Sequence, residues 1–155
     1  MRKRLGLILV ILAGLVGTCS LLSRPNPSLR AGDPWLQGAH IEPAVLAVLH
    51  RSCGDCHSED TYYPWYSYVA PVSWLINSDV EGGRRHLNFS QWGGYPLVRK
   101  ERSLSEIANQ VKDGDMPLVQ YTLIHHNAKL SSSDIAAVFA WTQQERARLI
   151  AESAR

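Results

Sequence analysis

Residues 53–57 read Cys53-Gly54-Asp55-Cys56-His57, and this pentapeptide sets the terms for the rest of the chain. Two thiols three positions apart can lie on one side of a helical turn, where they meet the two vinyl groups of a single porphyrin. The adjoining His57 then turns its imidazole onto the iron as the proximal ligand. The pattern therefore predicts one covalently attached c-type haem. Its rivals are a thioredoxin-like redox pair, half of a zinc site and a plain disulfide. A zinc site wants four ligands in two paired clusters, yet the third and last cysteine is Cys19, inside an apolar N-terminal segment. No alternation of strands and helices surrounds the pair, which disfavours the redox motif.

Outward from the motif the expectation is an all-α fold, a small cytochrome c-like helical domain around one haem. Pro43 suits a first helical turn, and Val45, Leu46, Val48 and Leu49 form an apolar stripe running into Cys53. Between Thr61 and Val72 stand two prolines and five aromatic residues, too irregular for a long element and read as a packed loop whose rings could cover a porphyrin edge or pack in the core. A second helix is predicted from Ser103 as N-cap with Glu106 three residues on, carrying Leu104, Ile107 and Val111 and ending at Gly114. A third begins near Ser131 with Asp134 in the capping position and carries Ile135, Val138 and Phe139. The polar residues from Gln143 onward follow it, with 146–155 read as a tail. Arg84-Arg85 and Arg99-Lys100 with Arg102 are small basic clusters that read chiefly as solvated surface, with propionate pairing or partner docking as the alternative.

The 155 residues leave room for one small domain and an appendage. That appendage is residues 1–22. Arg2-Lys3-Arg4 is basic, and Leu5 to Leu22 then runs without a charge. As a helix this stretch covers about 27 Å, close to the roughly 30 Å hydrocarbon core of a bilayer. The length favours a single transmembrane anchor over a cleaved signal sequence or a lipoprotein modified at Cys19. The leading positive charges hold the N-terminus inside, so the domain is expected outside the cytoplasm, in the periplasm of a bacterium and tethered to its inner membrane. Residues 23–39 read as the tether and 40–145 as the haem domain. Net charge is +2, but without Arg2, Lys3 and Arg4 the rest holds 13 Lys and Arg against 14 Asp and Glu. A near-neutral domain has no general affinity for nucleic acid. Its partners are expected to be redox proteins.

For the second axial position the chain offers Met116, its one methionine besides the initiator, in Gly114-Asp115-Met116-Pro117. A thioether is a soft ligand that suits iron opposite histidine, although a methionine also fills core gaps well. His86, His125 and His126 are alternative ligands, with His40 and His50 further behind.

Together these stretches resemble the bacterial haem-binding domain family, small extracytoplasmic proteins similar in layout to cytochrome c. The resemblance spans about residues 40–145. It rests on Cys53 to Ser58, Tyr63-Pro64-Trp65-Tyr66-Ser67, Pro71-Val72-Ser73-Trp74, Gly83 to Ser90 with Trp92, Met116-Pro117, and His125 ahead of Ala128-Lys129-Leu130-Ser131. It implies thioether bonds at Cys53 and Cys56, proximal His57 and, by analogy with cytochrome c, distal Met116. Leu118 stands where the family tends to have a second proline after Met-Pro, and His126 where it tends to have proline after the histidine. The function expected is one-electron transfer without catalysis. The alternative is a haem with an open or weakly held sixth position, a peroxidase-like enzyme or small-gas sensor using His86, His125 or Arg84.

Overall fold

The computed structural model describes residues 2–25 and 34–155. Among them there are six α-helices and no strand: α1 (Arg2–Leu22), α2 (Pro43–His57), α3 (Val72–His86), α4 (Leu97–Asp113), α5 (Val119–Ile124) and α6 (Ser132–Ser153). Three short 3-10 turns, Trp65–Tyr68, Phe89–Gly94 and His126–Ala128, link them. The all-helical expectation holds. Part of the expected tether, residues 26–33, lies outside the described residues.

The core lies between α2, α4 and α6. Val48 and Leu49 of α2 meet Leu104 and Val111 of α4, Val138 and Trp141 of α6, and Phe89 and Trp92 from the turn between α3 and α4. Each such fully buried apolar side chain contributes about 1.5–3 kcal/mol relative to exposure. The packed region starts ahead of residue 40, because Leu36 is also in this cluster and its N–H donates to the Phe89 carbonyl at 3.0 Å. Trp141 reaches the same strand of chain, its indole N–H donating to the His40 carbonyl at 2.9 Å.

Three boundaries differ from the sequence reading. The second expected helix begins at Leu97, not Ser103: Ser103 is buried mid-helix in α4, and Glu106 pairs with Arg102 at 2.8 Å. Proline at 96 supplies the extended residue that starts the helix, and the Ser103-x-x-Glu106 pattern is a fortuitous capping signature. Gly114 does end it, at φ +78°, a conformation that suits glycine. Secondly, α3 has no counterpart in the sequence reading: it begins at Val72, where the stretch read as a packed loop ends. Thirdly, α6 runs on through the polar residues to Ser153. Its start is as expected, with Ser131 Oγ accepting from the Asp134 N–H and the Asp134 carboxylate accepting from the Ser131 N–H.

The extension of α6 has a cause. Glu145 is 1% exposed, and its carboxylate accepts from Arg148 and from the His40 N–H. Arg148 also donates to the Gly38 carbonyl at 3.0 Å and pairs with Glu152. The supposed tail therefore fastens the chain that enters the domain. Removing one partner of a buried pair is costly. Glu145→Ala should destabilise the holoprotein by about 2–3 kcal/mol in chemical denaturation, with Glu145→Gln losing less because it keeps an acceptor.

Candidate haem site

The motif forms the last turn of α2, as its apolar stripe implies. Cys53 packs against the edge of the core, and Gly54 is buried under the Trp35 indole. A Cβ at Gly54 would overlap that ring, so glycine at the first variable position lets the indole lie against the motif. Trp35 in turn stacks on His50 at 3.7 Å between centroids. The other side of the turn is closed by α3. A Cβ on Gly83 would overlap the Cys56 carbonyl, and the bare backbone lets the two helices meet.

That contact sets the imidazole. His57 Nδ1 lies 3.0 Å from the carbonyl oxygen of Leu87, the residue that follows α3. A carbonyl only accepts, so Nδ1 carries the proton and the Nε2 lone pair is left for a metal. Burial lowers the ring's proton affinity, against the opposing pull of hydrogen bonds to the Leu87 and Gly83 backbone, and so favours the neutral imidazole. Phe89 lies 6.0 Å from the ring.

Asp55, the second variable residue of the motif, organises the opposite side. Its carboxylate accepts from the Tyr121 hydroxyl at 2.6 Å and from the Tyr62 N–H at 3.0 Å, while Thr61 donates to its carbonyl. Tyr121 stacks on His125 at 4.3 Å, and Tyr66 shares a hydrogen bond of 2.8 Å with His125 Nε2. Burial and the Asp55 carboxylate both push the Tyr121 phenol above its ordinary range, so it remains a donor. Of the expected residues, the structure thus gathers Cys53, Cys56, His57 and His125 around one end of the domain. Met116 stands half-buried in the turn after α4, its N–H donating to the Gln110 carbonyl at 3.2 Å. His86, at the end of α3, and His126 are exposed, as is His40, whose backbone serves Trp141 and Glu145. His50 is taken up by Trp35.

The basic clusters divide. Arg84 is structural: it donates to the Ser58 carbonyl and Thr61 Oγ1 and lies 3.6 Å from Glu59. Arg85 pairs with Glu81 on the surface, and Arg99 sits 3.9 Å over the Tyr95 ring. Sequence reading missed Trp35, Asp55, Leu87 and Tyr121. Only Asp55 carried a signal, by standing inside the motif.

The donor set fits a haem: two thiols on one helical turn, an imidazole held through Nδ1, and a thioether in the turn after α4. Apolar surface suited to a porphyrin face is also at hand, since α5, which carries Tyr121, buries no residue and exposes Val119, Leu123 and Ile124. Comparison with protein families agrees: a family model described as Haem-binding domain matches residues 11–144, well over half the chain. The chain belongs to this family. It is a haem protein. The match reaches further toward the N-terminus than residue 40, into α1. Neither the curated proteins nor the solved structures give a match.

In this haem-binding domain the two glycine contacts are the points where a single methyl group is felt. Gly83→Ala should push α3 off the motif and cost about 1–3 kcal/mol, the range for overpacking. Gly54→Ala meets a movable indole and should cost less. Denaturation midpoints and haem content per polypeptide measure both, and a Gly83→Ala protein of wild-type stability and haem content would contradict the packing described.

Proposed function

We propose that this protein is a membrane-tethered c-type cytochrome that carries single electrons between redox proteins outside the cytoplasm. The observation that carries the reading is the His57–Leu87 hydrogen bond at the end of the Cys53–Cys56 turn, which occupies Nδ1 and leaves Nε2 as the nitrogen for iron in the residue next to Cys56. Cys53 and Cys56 would hold the porphyrin by thioether bonds and His57 would hold the iron from one side. Bound haem supplies a one-electron couple at a potential set by its axial ligands and burial.

The chain's own residues weigh against thiol–disulfide catalysis. A reactive cysteine needs a depressed pKa, whereas burial, aided by neighbouring negative groups, pushes the Cys53 and Cys56 thiols up to about 12. They weigh against an open-site enzyme as well. Arg84 is committed to Ser58, Thr61 and Glu59, and His125 Nε2 to Tyr66, so neither is free to polarise a bound peroxide. The same commitment of His125, and the exposure of His86 and His126, favour Met116 as the distal ligand.

Membrane attachment rests on α1, which is long and apolar enough to cross a bilayer and has no buried residue in its apolar run. With Arg2, Lys3 and Arg4 held inside, the haem domain would stand on the far side, the periplasm of a bacterium. The intact mass of the membrane-extracted holoprotein reports both the retained N-terminus and the added haem. Acidic organic solvent should leave haem on the wild-type chain and remove it from Cys53→Ser/Cys56→Ser; extraction from the wild type would defeat covalent attachment. Met116→Ala should let ferrous protein bind carbon monoxide, which the wild type does not, and lower the potential on the order of 0.1 V within the roughly 0.8 V that axial ligands span. An unchanged spectrum would remove Met116 from the ligand set.

A further inference from the structure

The end of α1 is fastened to the haem domain at one place. Ser20 Oγ, in the last turn of α1, accepts from the Ala70 N–H at 3.0 Å. Ser23 Oγ and Ser73 Oγ share a hydrogen bond of 2.7 Å, and the Asn77 side-chain amide donates to the Ser23 carbonyl at 2.9 Å. The apolar run of α1 ends at Leu22, so Ala70 and Ser73 stand level with the point where the helix leaves hydrocarbon.

Around these contacts the domain shows apolar and aromatic side chains to its surroundings. Trp65 is 79% exposed and Trp74 51%, with Tyr68, Val69, Val72 and Leu75 exposed between and beside them. A contiguous patch of this kind marks an interaction surface. The composition is equally distinctive: residues 61–78 contain no Asp, Glu, Lys or Arg, in a chain that is 19% charged. Charge-free sequence rich in Trp and Tyr is what the boundary between headgroups and acyl chains selects, because those rings join an apolar body to a polar tip.

We infer that this face, from the Trp65–Tyr68 turn to the first turns of α3, seats in the outer headgroup layer of the same membrane that α1 crosses. The inference rests on reading α1 as an anchor. It gives the domain a second membrane contact and a fixed orientation. Because Gly83 of the same α3 packs on Cys56, the haem motif is held at a set height above the bilayer, suited to a redox partner that is itself in or on the membrane.

Full-length holoprotein in nanodiscs of phosphatidylcholine and phosphatidylglycerol, doped with a lipid carrying a diazirine near the headgroup, tests this by mass spectrometry of the photo-adducts. Lipid adducts are expected in residues 5–22 and in residues 61–78. Per residue, the latter should exceed those at the exposed apolar residues Val98 and Ile150 by about fivefold or more, if depth in the interface governs labelling. Adducts in 5–22 with 61–78 no higher than Val98 and Ile150 would overturn the seat and leave the anchor standing. No adducts in 5–22 would overturn both.

Discussion

The hydrogen bond between His57 Nδ1 and the Leu87 carbonyl couples the motif to the rest of the domain. It requires Leu87 to sit beside the last turn of α2, and that in turn requires α3 to approach α2 closely enough for Gly83 to touch the Cys56 backbone. Leu87 is itself buried, and the Phe89 that follows it enters the core next to Trp92. The orientation of one imidazole is therefore fixed by the packing of α2, α4 and α6. An imidazole that is to hold iron, as proposed for His57, needs such support, because the partner on its other nitrogen fixes the tautomer and the ring plane.

The domain divides its forces unevenly. On the side of α2, α4 and α6, large apolar residues are buried, and the side-chain hydrogen bonds of Glu145, Arg148 and Trp141 fasten the entering chain at the edge of that core. On the side of the 61–68 segment and α5, apolar burial is sparse and polar pairs take over: Tyr121 with Asp55, Tyr66 with His125, Thr61 with the Asp55 carbonyl. Hydrogen bonds give modest net stability of about 1 kcal/mol each, but they have direction, which apolar contact lacks. A site whose ligands must meet at defined angles gains more from direction than from area.

How far this was legible in the sequence follows from the same division. The α2 stripe ends at the motif in the structure as in the sequence, and Ser131 with Asp134 forms the capping pair expected of it. Those features are local, set by periodicity and by a side chain three residues away. The start of α4 was misread because Ser103-x-x-Glu106 imitates a capping pair, and only burial of Ser103 against the core distinguishes the two. Helix α3 was missed because its inner face is Ser73, Asn77, Val80 and Gly83, small or polar residues chosen for close approach and for α1, which leave no apolar stripe. The motif residues were readable as chemistry; Leu87 was not, since it acts through a backbone carbonyl that any residue could supply. Trp35 was assigned to the tether because its partners, Gly54, His50 and Phe89, lie 15 to 54 positions away.

Arg84 shows why a charged residue near a cofactor motif cannot be assigned from its position alone. Its side chain is 19% exposed, yet it has a carbonyl, a hydroxyl and a carboxylate around it. The carboxylate is Glu59, which also accepts from the Asn88 amide at 2.6 Å. Asn88 is next to Leu87, and Ser58 and Glu59 directly follow His57. The network therefore ties the residues after the motif to the residue after the Leu87 carbonyl, closing the same junction from its other end. Desolvating a guanidinium is expensive, and the expense is offset only while its partners hold their geometry. Such a network contributes little net stability but strongly disfavours alternative packings of α3 on α2, because each would strand a buried donor. The arginine thus acts on His57, the proposed iron ligand, at a distance, through the placement of a carbonyl, and its own charge is already paired with Glu59.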